Sequence, residues 1–204
     1  MVKRIILASG SPDRKKLLKA IGLNFEAMPS DYEEDQTLST DPLELVSILA
    51  RGKAENVAEK LKAEDADAIV IAGDTVVAFE GQIFGKARHN HEAFHFLQQL
   101  TGHTHQLITG GCVIDVQSGQ REEFVDTTDV TFAPLTDEEI WQYLEFNDEY
   151  RGRAGAYSLQ DRASLFITSI SGSPTNVIGL PIAKLREALL KFGINFLAGN
   201  YSSG

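Results

Sequence analysis

Apolar and polar positions along this chain fall into two kinds of block. Short β-branched runs recur, and the stretches between them carry apolar residues every three or four positions. The first run, Ile5–Ala8, passes through Ser9-Gly10-Ser11 into Pro12, and the spacing beyond predicts a helix to Ile21, stopped by Gly22. Asn24–Met28 reads as a short strand. Ser30–Asp41 is polar and acidic, is closed by Pro42, and reads as a mobile loop. Leu45, Ile48, Leu49, Ala54, Val57, Ala58 and Leu61 then recur at helical intervals, predicting a helix over Leu43–Lys62.

Ala68–Phe79 is a β-branched run that continues through Glu80-Gly81 into Gln82–Phe84, a hairpin pattern. Helical spacing returns over His91–Leu100. His105–Val116 and Glu123–Phe132 read as strands joined by a turn around Ser118-Gly119, with His103 and His105 as turn and strand-start positions. Thr136 is placed to cap a helix reaching Phe146, with Glu138 and Glu139 in its first turn. The Gly- and Arg-rich segment Arg151–Gly155 precedes a strand over Leu165–Ile170 and a last helix over Pro181–Phe192. Strands alternating with helices, interrupted by two hairpins, predict an α/β protein with a mixed sheet. Without repeats or a linker, residues 1–196 read as one domain and 197–204 as a flexible tail.

Composition narrows the partners. At 204 residues, 43% hydrophobic and 24% charged, the chain has the balance of a soluble globular protein with a sizeable core. Its net charge of −10 repels polyanions and argues against nucleic acid or a membrane surface as partner. A small anionic substrate therefore needs a locally positive pocket, a divalent cation, or both. No apolar run approaches the ~20 residues of a membrane span, and the basic start Met1–Arg4 is followed by too few apolar residues for a signal peptide. Cys112 is the only cysteine, which rules out an internal disulfide and suits a reducing cytoplasm. Its apolar setting, Gly111-Cys112-Val113-Ile114, reads as a buried inert thiol.

Chemistry enters first at Ser9-Gly10-Ser11. A strand delivering small residues to a helix N-terminus presents backbone N–H groups at the positive end of the dipole, and Arg14 adds a permanent charge: an anion site. An ordinary connection with Ser11 as N-cap and Pro12 in the first turn accounts for the same residues without a ligand. Asp74 lies among β-branched residues, where an unpaired charge is costly. Either a bulge at Gly73 turns it to the sheet edge, or it is a general base or metal ligand at the end of a core strand. Glu33 and Glu34 place carboxylates on the acidic loop, and Lys53 and Lys86 join Arg14 as charges able to offset a triphosphate; taken singly, these acids and lysines read as solvated surface charges. His91-Glu92-Ala93-Phe94-His95 matches the zinc-protease pattern H-E-x-x-H. Glu92, Gln98 and Gln99 share the arc of the two histidines, while Ala93, Phe94, Phe96, Leu97 and Leu100 form the opposite one. That is an amphipathic helix with its histidines in water.

With these pieces placed, the chain resembles the Maf family of nucleoside triphosphate pyrophosphatases nearly end to end. The resemblance is carried by Leu7–Arg14, Gly73–Val77, Phe84-Gly85-Lys86, Leu100–His105, Ala154–Gln160 and Thr175–Pro181. It implies a fold like the inosine triphosphate pyrophosphatases, a mixed twisted sheet with flanking helices and a cleft between two lobes. It also implies hydrolysis of a nucleoside triphosphate to the monophosphate and pyrophosphate with Mg²⁺, Mn²⁺ or Co²⁺, in a homodimer. The family roles carried over make Asp74 the proton acceptor and a metal ligand, with Glu34 the loop acid beside it. Lys53, Lys86 and Arg14 would hold phosphates, and Ser9, Gly10 and Ser11 would line the phosphate turn. Thr75 and Gln160 match the branch acting on dTTP, UTP and modified pyrimidine nucleotides. Three positions depart from that branch: Asp13 stands where it has arginine, Ala87 where it has proline and Arg153 where it has lysine. Asp13 thereby puts an anion beside the substrate. A nucleotide-binding regulator with little turnover and a zinc hydrolase built on His91 and His95 are the other two readings.

Overall fold

The structure is a computed structural model that describes residues 3–62, 66–146, 148 and 150–198. Residues 199–204 of the expected tail lie outside the described residues. Phe196–Ala198 forms a single 3₁₀ turn, and Leu197 is exposed.

Among the described residues seven strands form one sheet. They are β1 (Arg4–Leu7), β2 (Glu26–Ala27), β3 (Ala68–Phe79), β4 (Gln82–Phe84), β5 (Thr104–Asp115), β6 (Arg121–Phe132) and β7 (Ile167–Ser171). Their order is β2-β1-β3-β5-β6-β7, with β4 paired to β3. β1 runs parallel to β2 and β3, whereas β3/β4 and β6/β7 are antiparallel, so the sheet is mixed as the pattern predicts. The β3–β4 turn places Glu80 at φ 48° and Gly81 at φ 77°, the two left-handed residues that a tight hairpin turn matching strand twist demands.

The helices are α1 (Pro12–Ala20), α2 (Pro42–Lys62), α3 (Asn90–Leu100), α4 (Asp137–Phe146), α5 (Pro174–Ile178) and α6 (Ile182–Lys191). Ser11 caps α1 by accepting from the Arg14 N–H at 3.4 Å. At α4 a full capping box forms: Thr136 Oγ1 accepts from the Glu139 N–H, and Glu139 returns a carboxylate oxygen to the Thr136 N–H. Helix α5 has no counterpart in the sequence reading, because five residues are too few to show a period. It is held instead by Asn176, whose side-chain amide donates to the Leu107 carbonyl at 3.1 Å and to Thr128 Oγ1 at 3.0 Å. No helix among the described residues is long and apolar enough to cross a membrane.

The chain divides into two compact units. One comprises residues up to Asp74, Thr109–Asp126 and the segment from Gly179; the other comprises Thr75–Ile108 and Thr127–Ile178. In the first, Ala50, Ala54, Val57, Ala58 and Leu61 of α2 pack with Ile6 of β1 and Val70 of β3. The alanines, one turn apart, present a small-residue face to that core. Cys112 lies in it fully buried, and burial pushes its thiol up to about 12. The expected inert thiol is what the structure holds.

The second unit is built around aromatic rings, with Phe132 edge-on to Tyr157 and to Phe166. His105 sits within it, only 2% exposed, sharing a 2.9 Å hydrogen bond between Nε2 and the Tyr157 hydroxyl. Its place at the start of β5 was legible; its burial was not. Burial lowers its pKa from 6.5 to about 4, so the folded protein keeps it neutral where the unfolded chain takes a proton. Stability from this residue is complete above the unfolded value and is lost as pH falls through that window, by about 2 kcal/mol near pH 5. Urea midpoints at pH 7.5 and 5 are expected to show this loss, and His105→Gln to flatten it.

Candidate active site

Strand β1 stops at Leu7, where the Ala8 N–H still donates to the Ile71 carbonyl at 2.8 Å, and the chain then leaves the sheet for Ser9-Gly10-Ser11. The ladder between β1 and β3 therefore ends at Ile71, and the ladder between β3 and β4 begins at Val77. Asp74 lies in the gap. This corrects the expectation of a carboxylate at the end of a core strand: β3 runs on to Phe79, and Asp74 is an interior residue of it. The β-branched Val76 and Val77 and the pairing with β4 carry the strand forward past the acid.

Asp74 is 4% exposed, and burial at that depth requires a counter-charge. Lys53 of α2, itself buried, supplies it: Nζ lies 2.5 Å from Asp74 Oδ1. The same Nζ lies 2.7 Å from Glu34 Oε1, on the acidic loop. Two carboxylates thus converge on one ammonium. Glu34 keeps a third of its side chain in solvent, so the strong member of the triad is the Lys53–Asp74 pair. The Ser30–Glu34 segment, expected to be mobile, is docked against α2.

Arg14 forms the other half of the site. It too is buried, with Nε donating to the Gly179 carbonyl at 2.8 Å and Nη1 to Ser9 Oγ at 3.2 Å. Burial lowers its pKa, and the charges of Asp74, Glu34 and Asp13 oppose that shift, which places all three carboxylates within its field. Ser9 Oγ also accepts from the Ser11 N–H at 3.2 Å, so its hydroxyl hydrogen is turned away from both donors. Gly73 matters to this arrangement: a Cβ there would lie 3.4 Å from Arg14 Nε and 3.3 Å from the Gly110 carbonyl oxygen. Asp13 is buried in the first turn of α1, 3.7 Å from Lys16 Nζ, where it meets the positive end of the helix dipole.

Arg14, Ser9, Lys53, Glu34 and Asp74 are therefore brought together within one unit. Thr75, Lys86 and Gln160 belong to the other. There, Lys86 follows β4 and bridges Ala154 through its backbone, while the Gly155 N–H donates to the Gly85 carbonyl. The late segment up to Gln160 is thereby tied to Lys86. Gln160 is exposed, with its N–H on Ser158 Oγ, and Arg153 pairs with Asp161 at 2.7 Å.

The histidine motif has local work. His89 Nδ1 caps α3 by accepting from the Glu92 N–H, and Arg88 grips the Glu92 carboxylate. His91 stands edge-on to Trp141, which stacks on Phe94, and His95 is exposed. Among the described residues no three His, Cys, Asp or Glu side chains group as metal ligands. The Asp74 and Glu34 pair still suits Mg²⁺, a hard cation that takes one or two carboxylates and completes its shell with water and substrate phosphate. The convergence of both on Lys53 Nζ marks a point where positive charge is already stabilised.

Comparison with known proteins matches residues 4–192 to the family described as Maf-like protein. The chain belongs to this family. Among Maf relatives, a dTTP/UTP pyrophosphatase of Carboxydothermus hydrogenoformans is 42% identical over 93% of this chain and 99% of its own. Another of the same description, from Alkaliphilus oremlandii, is 44% identical over 96% of this chain and all of its own. A solved HAM1 protein structure from Coxiella burnetii aligns with a TM-score of 0.45 at 10% identity, over 95% of this chain and 100% of its own.

Proposed function

We propose that this Maf protein hydrolyses nucleoside triphosphates, dTTP and UTP foremost, to the monophosphate and pyrophosphate. The observation that carries the reading is the buried Asp74–Lys53 pair, joined by Glu34 and lying within the electrostatic reach of Arg14. Asp74 Oδ1 is held by Lys53, and Oδ2 is the atom to accept a proton from the attacking water. Lys53 fixes the carboxylate on a rigid strand, so the base does not have to be ordered at the moment of reaction. Arg14, the Ser9 hydroxyl and the N–H groups at the start of α1 bind the phosphates. Asp74 and Glu34 would hold a divalent cation, which would supply charge stabilisation to the leaving pyrophosphate.

Thr75 and Gln160 are assigned to base selection, since a Gln amide offers both a donor and acceptor to a pyrimidine edge. Relatives more than 40% identical over nearly their whole length carry the same substrate description, which supports the choice. The test is a panel of triphosphates assayed for pyrophosphate with and without Mg²⁺, Mn²⁺ and Co²⁺. Release from dTTP and UTP, dependent on added cation, is expected. Tight nucleotide binding with no release would replace this reading by that of a regulatory binding protein.

A further inference from the structure

Helix α2 presents two working faces. Ala50, Ala54 and Ala58 enter the core, whereas Gly52, Asn56 and Lys60, spaced by four and so stacked along another face, meet the segment Ser30–Glu34. Asn56 Oδ1 accepts from Ser30 Oγ at 3.0 Å and from the Asp31 N–H at 3.1 Å. Ser30 Oγ in turn accepts from the Tyr32 N–H at 3.0 Å, tightening the bend. The Tyr32 ring lies over Gly52 so closely that a Cβ at that position would overlap it. Two residues further on, Glu34 reaches Lys53, the neighbour of Gly52. Lys60 pairs with Asp31 at the outer end, but both side chains are solvent-exposed and such pairs hold little.

We propose that Asn56 and Gly52 are positioning residues: they moor Ser30–Glu34 to α2 and so deliver the Glu34 carboxylate to Lys53 beside Asp74. The inference rests on the reading that Glu34 serves the phosphate chemistry. Asn56 supplies the one acceptor that fixes both a side chain and a backbone N–H of the segment. Gly52 supplies the bare backbone on which Tyr32 lies, and any side chain there lifts the ring. Because Glu34 follows Tyr32 by two residues, releasing either anchor moves the carboxylate, and misplacement by about 1 Å is enough to cost on the order of 10²-fold in rate.

Two measurements on the full chain test this. In the first, a Glu-specific protease is used to follow cleavage after Glu33 and Glu34. Asn56→Ala and Gly52→Ala are expected to raise cleavage there at least tenfold with Tm little changed, while Asn56→Asp, which keeps the acceptor oxygen, restores protection. If Gly52→Ala fails to fold, Asn56→Ala alone carries the result, and unchanged cleavage in it overturns the mooring. The second is a cycle of Asn56→Ala with Glu34→Gln read as kcat. A residue acting through Glu34 lowers kcat in the parent and adds nothing in Glu34→Gln, whereas additive losses mean a general structural role and overturn the proposal. If Glu34→Gln itself leaves kcat unchanged, the catalytic reading of Glu34 fails, and the protease result still decides the mooring.

Discussion

Asp74→Asn is expected to lower kcat for pyrophosphate release by about 10³-fold, the middle of the range for loss of a positioned general base. Asparagine keeps the shape of the side chain and an oxygen that can accept from Lys53, so the pairing at Oδ1 survives in geometry. What disappears is the capacity to take a proton. Circular dichroism and thermal melting close to the parent, with turnover nearly abolished, is the expected pair of results. Substantial turnover would remove Asp74 from the proton-accepting role, since no other carboxylate within the field of Arg14 is carried by a core strand.

Lys53→Met has a different signature, because it damages both fold and function. The lysine is buried between Asp74, at 4% exposure, and Glu34, which keeps a third of its side chain in solvent. Methionine fills the volume but leaves the Asp74 charge without compensation, and breaking a buried pair in this way costs about 3 kcal/mol. For a chain of this length that corresponds to a fall in Tm of about 10 °C, measurable by calorimetry. Activity is lost with it. Because Glu34 can turn to water, Glu34→Gln should leave Tm nearly unchanged, and the contrast between the two variants separates the buried pair from the exposed one. Equal stability of Lys53→Met and the parent would mean that the pair does not form.

The parts of this fold that depend on neighbours in sequence were legible in it. The cap at Ser11, the Thr136–Glu139 box and the left-handed Glu80-Gly81 turn each follow from residues within four positions. Elements long enough to show a period appeared within a residue or two of their predicted bounds, α2 and β3 among them. The cationic and acidic residues of the site were also legible, Arg14, Lys53, Glu34 and Asp74 as charges in suggestive places, and the family resemblance set them in one mechanism. What was hidden depends on contacts distant in sequence. Asp74 was expected at a strand's end because aspartate disfavours strands, and the counter-charge that lets it sit inside β3 comes from Lys53, twenty-one positions away. His105 read only as a strand start, and Tyr157 and Phe132 folding over it make it a core residue. The mooring of Ser30–Glu34 uses a glycine and an asparagine that a helical pattern treats as neutral filler. His91 and His95 show the converse: a recognisable spacing whose surroundings hold an aromatic stack and a helix cap.

The central claim is that the centre around Asp74 cleaves between the α- and β-phosphorus of a nucleoside triphosphate. Phosphorus NMR of UTP turnover in the presence of Mg²⁺ tests it most directly, run in parallel on the parent and on Asp74→Asn. The account predicts UMP and pyrophosphate in equal amounts from the parent and almost none from the variant. Accumulation of UDP and orthophosphate, or matching product formation by the variant, would contradict it.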